Sequence, residues 1–369
     1  MVVVLAAAAV GRATFAGASP ALPRQSAAQL LAKVSRAHVE QLSGTVKTSS
    51  HLGLPSLPGV AGGDLSPQSL LSGDHTLRIY LDGADRQRVD LLGTLAGSSL
   101  VHNGADLWSW SSSTNKATHT TLPAHPSRTG EQPAGKKPGT QELPDLAPQA
   151  LAQHVLDTVG PTTTVSVGDP ASVAGRSAYD LRIAPKTSDS LVKAVDVFVD
   201  SATGLPLRVT VLARGAKQPA IDVGFTSVRF AKPAGSLFAF KPPRGAKLTE
   251  GAGPRALGTF RARGKPSAAA NGHAFLAPGR RIASPGTQRP QVLGTGWVSV
   301  VEIRGVPGGL LADKRLQALL QGTRTVKGSF GSGHVLTTAL VSALITDGGL
   351  VFVGAVTPEA LVRIADTAR

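Results

Sequence analysis

The residue types that most often carry chemistry are present in this chain, but they do not form a catalytic or metal-binding pattern. The 369 residues include no cysteine, which excludes thiolate metal sites, cysteine nucleophiles and disulfides. The nine histidines include no H-x-x-x-H pair, and the triplet His38-Val39-Glu40 has no cysteine ligands to complete a zinc site. We therefore predict no catalytic residues, no metal and no cofactor.

Two further motifs of enzymes are absent. The glycine-rich segment Gly328–His334 precedes a predicted strand and fits neither phosphate-binding spacing, G-x-x-x-x-G-K-[ST] or G-x-G-x-x-G, so we interpret it as a loop. No G-x-S-x-G nucleophile motif occurs. Because a triad dispersed along a chain has no local signature, a hydrolase acting in a groove stays open as the least favoured hypothesis.

The formal net charge of +15 comes almost entirely from one zone of the chain. Between Leu205 and Pro290 only Asp222 and Glu250 oppose a large set of Lys and Arg residues. We predict that this zone meets an anionic membrane or cell-wall surface or an acidic partner; the alternative is a solvated linker. No RNP-like, zinc-finger or helix-turn-helix pattern accompanies it, which argues against nucleic acid. The candidate contact residues are Arg255, Arg261, Arg263 and Lys265.

The N-terminal segment is apolar but short. Val2–Val10 is nine residues long, well under the roughly 20 that span a bilayer. Small residues follow at Ala16-Gly17-Ala18, as in a signal peptide. We predict export to an extracytoplasmic location, with the segment either cleaved or holding the protein at the membrane.

A strand–turn–strand pattern at Val195–Arg214 is the clearest structural signal. Apolar and polar residues alternate up to Asp200, the turn contains Gly204, and alternation resumes after Pro206 at the start of the second strand. The same alternation predicts an antiparallel meander of about ten strands, with amphipathic helices at Ser26–Leu42 and Ala147–Val159.

The candidate ligand-binding residues lie in the first half of this meander. Trp108 and Trp110 are two apart on a strand and therefore share a face of it. Either they line a cavity or they fill the core. The same two alternatives hold for the aliphatic residues of the preceding strands, because every sheet needs an apolar face. These are Leu77, Ile79, Leu81, Val89 and Leu91.

Four segments follow from the changes in composition. Residues 1–24 are a signal or anchor segment, 25–248 a first domain, 249–290 a basic flexible linker and 291–369 a small α+β domain. In the last of these we predict two helices and three strands. They are a strand at Trp297–Ile303, a helix at Leu310–Leu320, strands at Val335–Ile345 and Leu350–Val356, and a helix at Pro358–Ala368 capped by Thr357.

The first domain resembles the LolA/LppX/RseB lipoprotein-carrier superfamily. The resemblance is carried by the first helix leading into Gly44-Thr45-Val46, by Asn103-Gly104 before Trp108-Ser109-Trp110, by Asp200 with Thr203-Gly204-Leu205-Pro206, and by a closing strand over 235–246. The end of the chain, from Gly349 through Pro358 into the last helix, is similar to the smaller domain of RseB-type regulators.

This resemblance implies the fold and two functions. The fold is α+β, a curled antiparallel half-barrel with a helical lid, followed by a small α+β domain. The first function is a non-enzymatic, LolA-like carrier that holds the acyl chains of a lipid or lipoprotein in a hydrophobic cavity. The alternative is an RseB/MucB-like regulator that senses envelope lipids and docks on a membrane anti-sigma partner.

Overall fold

The computed structural model describes residues 22–53, 73–93, 96–122, 161–251, 290–304, 320 and 322–368. Within these residues the chain forms two sheets and few helices, so the fold is mostly β. The larger sheet contains strands between residues 41 and 250, and the smaller one contains strands between 291 and 354.

The larger sheet is a meander of hairpin-connected strands. Its strands are β1 Gln41–Ser50, β2 Gly73–Asp82, β3 Arg86–Leu92, β4 Gly97–Asn103, β5 Asp106–Ser111, β6 Lys116–Thr121, β7 Thr163–Val167, β8 Ala171–Val173, β9 Arg176–Pro185, β10 Val192–Asp200, β11 Pro206–Ala213, β12 Ile221–Arg229 and β13 Lys247–Glu250. Their order is β13-β6-β5-β4-β3-β2-β1-β12-β11-β10-β9-β7, with β8 paired to β9. All pairs are antiparallel except β13 with β6. Among the described strands, the first and last of this order do not pair, so no closed barrel forms.

The first helix is shorter than predicted. Helix α1 spans Ala27–Arg36, with Ser26 as its N-cap in a capping box. The prediction Ser26–Leu42 is wrong beyond Arg36, because β1 follows and Leu42 pairs with Leu81 of β2. Pairing between distant strands has overridden the local helical periodicity here.

The predicted closing strand is also wrong. Residues 235–246 contain a 3₁₀ turn at Gly235–Phe238 and then irregular chain. Pro242 and Pro243 lack the N–H groups that a strand ladder requires. Pairing begins at Lys247 in β13, so the first residues assigned to the linker, 249 and 250, lie in the larger sheet.

The smaller sheet packs one helix against its inner face. Its strands are β14 Gln291–Leu293, β15 Val300–Ile303, β16 Arg324–Gly328, β17 Gly331–Thr337, β18 Ser342–Thr346 and β19 Val351–Gly354, in the order β14-β15-β19-β18-β17-β16. Helix α2, Pro358–Asp366, is capped by Thr357 as predicted. Leu361 of α2 is fully buried in one cluster with Leu344 and Phe352.

Two strand predictions in the smaller sheet need correction. The strand predicted at Val335–Ile345 is two strands, β17 and β18, joined by a turn in which Thr338 and Val341 exchange hydrogen bonds. The strand predicted to begin at Trp297 begins at Val300, after a 3₁₀ turn.

The smaller sheet contacts the larger one through backbone and side chains. Ser190, between β9 and β10, forms an antiparallel bridge with Val356, and the amide of Leu191 donates to the carbonyl of Ala355 at 3.0 Å. The side chain of Leu340 is buried in one cluster with apolar residues of β10 and β11. The two sheets are therefore packed together.

Several predictions concern residues outside the described part of the chain. These are the signal or anchor segment up to residue 21, the helices at Ala147–Val159 and over 310–319, most of the linker, and the candidate contact residues Arg255, Arg261, Arg263 and Lys265.

Candidate functional site

The five aliphatic candidates lie on one face of the larger sheet. Directly opposed residues of an antiparallel pair point to the same face, and side chains alternate along each strand. Leu77 pairs with Leu91, and Ile79 pairs with Val89. Leu81, two residues beyond Ile79, points the same way at the end of β2. Four of these five residues, all except Leu81, belong to one apolar cluster.

The two tryptophans point to the opposite face. Arg88, the neighbour of Val89 along β3, pairs with Val101, and Val101 pairs with Trp108. Trp110 follows two residues later on the same strand. One cavity on a single face therefore cannot be lined by all seven candidates. Alternation shows which residues of one strand share a face, but only the register between strands relates one strand to the next.

Leu77, Ile79, Val89 and Leu91 form a cluster with two residues that were not candidates for the site. Val46 of β1 pairs with both Leu77 and Phe225. Val46, Leu77 and Leu91 are buried, and the other members of the cluster are half-buried. We call this cluster the aliphatic face; its members are Val46, Leu77, Ile79, Val89, Leu91 and Phe225.

Gly44 leaves the space that the Phe225 ring occupies. Gly44 comes two residues after the predicted end of the first helix, but it lies inside β1. A Cβ atom there would lie 2.7 Å from both Phe225 Cε1 and the Ser227 carbonyl oxygen. Gly44 does not adopt a positive φ, so its backbone conformation does not require glycine. Glycine is required here because the Phe225 ring lies where a side chain would be.

The tryptophan face is packed rather than open around Trp108. The Trp108 ring stacks on His119 with centroids 4.4 Å apart, and Phe240 lies at 5.5 Å. The guanidinium of Arg88 donates to the carbonyl of Leu237 at 2.9 Å, which holds the 3₁₀ turn over the same face. These contacts favour the core alternative for Trp108.

The other half of the aliphatic side of the sheet is covered by two elements. Leu30 of α1 is fully buried in a cluster with Tyr179 and Leu181 of β9. Further along the same side, Val195 and Val211 pack around Leu340 of the smaller sheet. The aliphatic face is thus one of several apolar clusters along this side of the sheet.

The β10–β11 turn is fixed by a buried carboxylate. Asp200 is 1% exposed; it accepts hydrogen bonds from Arg176 at 2.6 and 2.9 Å, and from the amide and hydroxyl of Thr203 at 2.8 Å each. Burial alone would raise the pKa of Asp200, but these hydrogen bonds outweigh it and hold the pKa below its usual value. Gly204, with φ 76°, approaches the backbone of Lys33 in α1.

The residues that mark the β10–β11 turn in the sequence have a structural role in the folded protein. The contacts of Asp200 with Thr203, and of Gly204 with Lys33, position the hairpin against α1. Arg176, which completes the arrangement, has no local signal because it lies 24 residues earlier on another strand.

The opposite side of β9–β12 is polar. Arg182 pairs with Asp196 and Arg208 with Asp222 across neighbouring strands. Burial, and then the charge of Asp196, raise the pKa of Asp180 on the same side. Over these strands the side opposite the aliphatic face therefore carries charged pairs as well as apolar residues such as Phe198, which pairs with Asp180.

Two negative findings hold for the described residues. No group of three or more His, Asp or Glu side chains is placed to hold a metal ion. No helix in these residues is long and apolar enough to cross a bilayer.

The fold is similar to that of several solved proteins. The Pseudomonas aeruginosa MucA/MucB complex matches at 14% identity over 92% of this chain and 96% of that one, with a TM-score of 0.41. MucB alone matches at 13% over the same shares, with a TM-score of 0.37. A LolA superfamily protein from Nitrosomonas europaea matches at 11% identity over 58% of this chain and 98% of its own length, with a TM-score of 0.20.

These matches concern the fold alone. The expected likeness to MucB and to LolA superfamily proteins is found in the structure comparison. No family model matches the sequence, and no curated protein matches it. The ligand and the partner of this protein must therefore be inferred from its own residues.

Proposed function

We propose that this protein is an exported, non-enzymatic binding protein that takes the acyl chains of a lipid or lipoprotein onto its aliphatic face. The observation that carries the proposal is that face, where apolar side chains from four adjacent strands, β1, β2, β3 and β12, point to the same side. Burying each methylene of a ligand contributes about 0.8 kcal/mol, so two acyl chains supply ample affinity without a specific polar contact.

The proposal includes the half-barrel shape, the helical lid and the domain limits that the sequence predicts. In this proposal the sheet curls around the chains as a half-barrel, and α1 together with the helix predicted at Ala147–Val159 forms its lid. The division into a first domain, predicted as 25–248 and extended by β13 to residue 250, and a second domain over 291–369 belongs to the same proposal. Strand-to-strand twist of about 20–25° gives a sheet of this width the curvature that such a cavity requires.

A regulator fits the domain contacts better than a carrier does. The smaller sheet packs on the same side of the larger sheet as the aliphatic face, through Leu340 among Val195 and Val211. A second domain in that position can respond to occupancy of the first, whereas carriage requires only the first. The resemblance of the C-terminal segment to RseB-type regulators gives the partner class, a membrane anti-sigma protein; MucB itself was solved with MucA.

The acyl-binding step is tested with two adjacent residues of β2. Ile79→Ser removes apolar surface from the aliphatic face, and Tyr80→Ser changes the next residue, which pairs with Arg88 on the opposite face. We expect Ile79→Ser to weaken binding of a fluorescent fatty acid about tenfold and Tyr80→Ser to leave it within about twofold. Equal effects of the two variants, or the absence of saturable binding by the parent protein, would contradict the proposal.

The ligand and the partner need separate measurements. Native mass spectrometry of protein purified from membranes should detect co-purified lipid. If a single-span anti-sigma protein is encoded beside this chain, its extracytoplasmic segment should bind the purified protein with an affinity that changes when lipid is added. An affinity that lipid leaves unchanged favours the carrier.

A further inference from the structure

A depression beside helix α1 gathers cationic side chains that have no acidic partner. It has a volume of about 450 Å³ and lies between α1 and the β10–β11 turn. Arg24, Lys33 and Arg36 all line it. In the described part of the chain, none of the three forms an ion pair with a carboxylate. The volume falls within the roughly 300–1,000 Å³ of small-molecule sites.

Asp200, the carboxylate closest in sequence to Ala202 and Thr203, does not neutralise the positive charge of the depression. Asp200 is buried and already engaged by Arg176 and by Thr203. Glu and Asp residues are missing from the lining, which Pro23, Gln25, Gln29, Ala32, Ala202 and Thr203 complete. The depression is therefore cationic by about three charges.

The depression is built on fixed elements. The Lys33 ammonium donates to the carbonyl of Ser201 and lies 5.8 Å from the centroid of the Tyr179 ring. Gln29 is held by the capping box of α1.

We propose that this depression binds a phosphate-type anion, either free or as the headgroup of a lipid. Guanidinium groups bind phosphate oxygens through paired N–H donors, and an ammonium adds a compact charge. The proposal does not rest on acyl binding, because a free phosphate has no chain to bury.

The test compares two double variants with the same change of charge. Arg24→Gln/Arg36→Gln removes two cations from the depression, while Arg229→Gln/Arg244→Gln removes two exposed cations that do not line it. We expect calorimetric titration of the full chain with inorganic pyrophosphate at low salt to show binding that the first variant weakens at least about tenfold and the second less than about twofold.

Two further ligands distinguish the sources of the anion. Tighter binding of dihexanoyl phosphatidic acid than of pyrophosphate supports a lipid headgroup, and equal binding supports a free anion. In both cases Ile79→Ser should leave pyrophosphate binding unchanged, which separates this site from the aliphatic face. Equal losses in the two double variants, or no saturable pyrophosphate binding by the parent protein, would overturn the proposal.

Discussion

Replacement of Asp200 by asparagine should destabilise the protein far more than the same change at a surface ion pair. Asp200 is buried, accepts two hydrogen bonds from Arg176 and accepts two more from Thr203. An asparagine keeps the shape but loses the charge and one acceptor oxygen. The guanidinium of Arg176 then faces a neutral amide.

The magnitude follows from the burial of the pair. Breaking a buried ion pair costs about 3–5 kcal/mol, and each hydrogen bond to a charged group contributes about 1.5–3 kcal/mol. The Arg176 side chain is 30% exposed and can be partly hydrated again. We therefore expect a loss of about 3 kcal/mol in the free energy of unfolding, or about 6–12 °C in Tm.

The effect should depend on pH in a defined direction. Because the pKa of folded Asp200 lies below its usual value, the folded state favours the carboxylate. The resulting stabilisation is present above the unfolded pKa of about 4 and is lost as the pH falls through the folded pKa. The difference in the free energy of unfolding between the parent protein and the Asp200→Asn variant should accordingly become smaller below about pH 4.

Urea unfolding followed by circular dichroism at pH 7 and at several acidic pH values measures both effects. Asp222→Asn is the matched control, because Asp222 pairs with Arg208 in a more exposed position. It should cost no more than about 1 kcal/mol. Equal losses in the two variants, or a difference for Asp200→Asn that stays constant down to pH 3, would refute this account of the turn.

Three more outcomes are expected. Gly44→Ala should lower the free energy of unfolding by about 1–3 kcal/mol through the clash with Phe225, whereas Gly235→Ala, with open space around its Cβ, should be neutral in the same urea titration. Leu340→Ala should cost about 2–4 kcal/mol and speed protease cleavage between the two sheets, whereas Leu248→Ala, 66% exposed, should do neither. Protein lacking residues 1–18 should bind anionic vesicles at low salt and be released at about 0.5 M salt. Replacement of Arg255, Arg261, Arg263 and Lys265 by Glu should weaken this binding, and binding that does not depend on salt would contradict the prediction.

Local signals in the sequence predict the hairpins well. Asn103-Gly104 marks the β4–β5 turn, where Gly104 adopts φ 63°, and alternation marks β10 and β11 on both sides of the other turn. Helix α2 is found from Thr357 and Pro358 at its start. In each case the determining residues lie within a few positions of the element.

Non-local arrangements could not be predicted in this way. The end of α1 depends on the pairing of Leu42 with Leu81, about forty residues away. The faces of Trp108 and Val89 depend on the register through Val101. A single-strand pattern contains no information about either, so it could not show that the five aliphatic candidates share one face of the sheet and the two tryptophans lie on the other. Whether any of these residues binds a ligand stays a prediction.

Some cationic side chains of the described residues are held by partners within the protein, and others have no acidic partner. Arg208 is paired with Asp222, and Arg214 donates to the carbonyls of Thr187 and Ser190, the latter being the residue that bridges to the smaller sheet. Arg214 therefore stabilises the segment that connects the two sheets and contributes little to an external surface. Arg24 and Arg36, outside the basic zone that composition picks out, line a depression without any acidic residue. Among the described residues, the local excess of charge in the sequence therefore does not distinguish cations that hold the fold, such as Arg214, from cations without an acidic partner, such as Arg24 and Arg36.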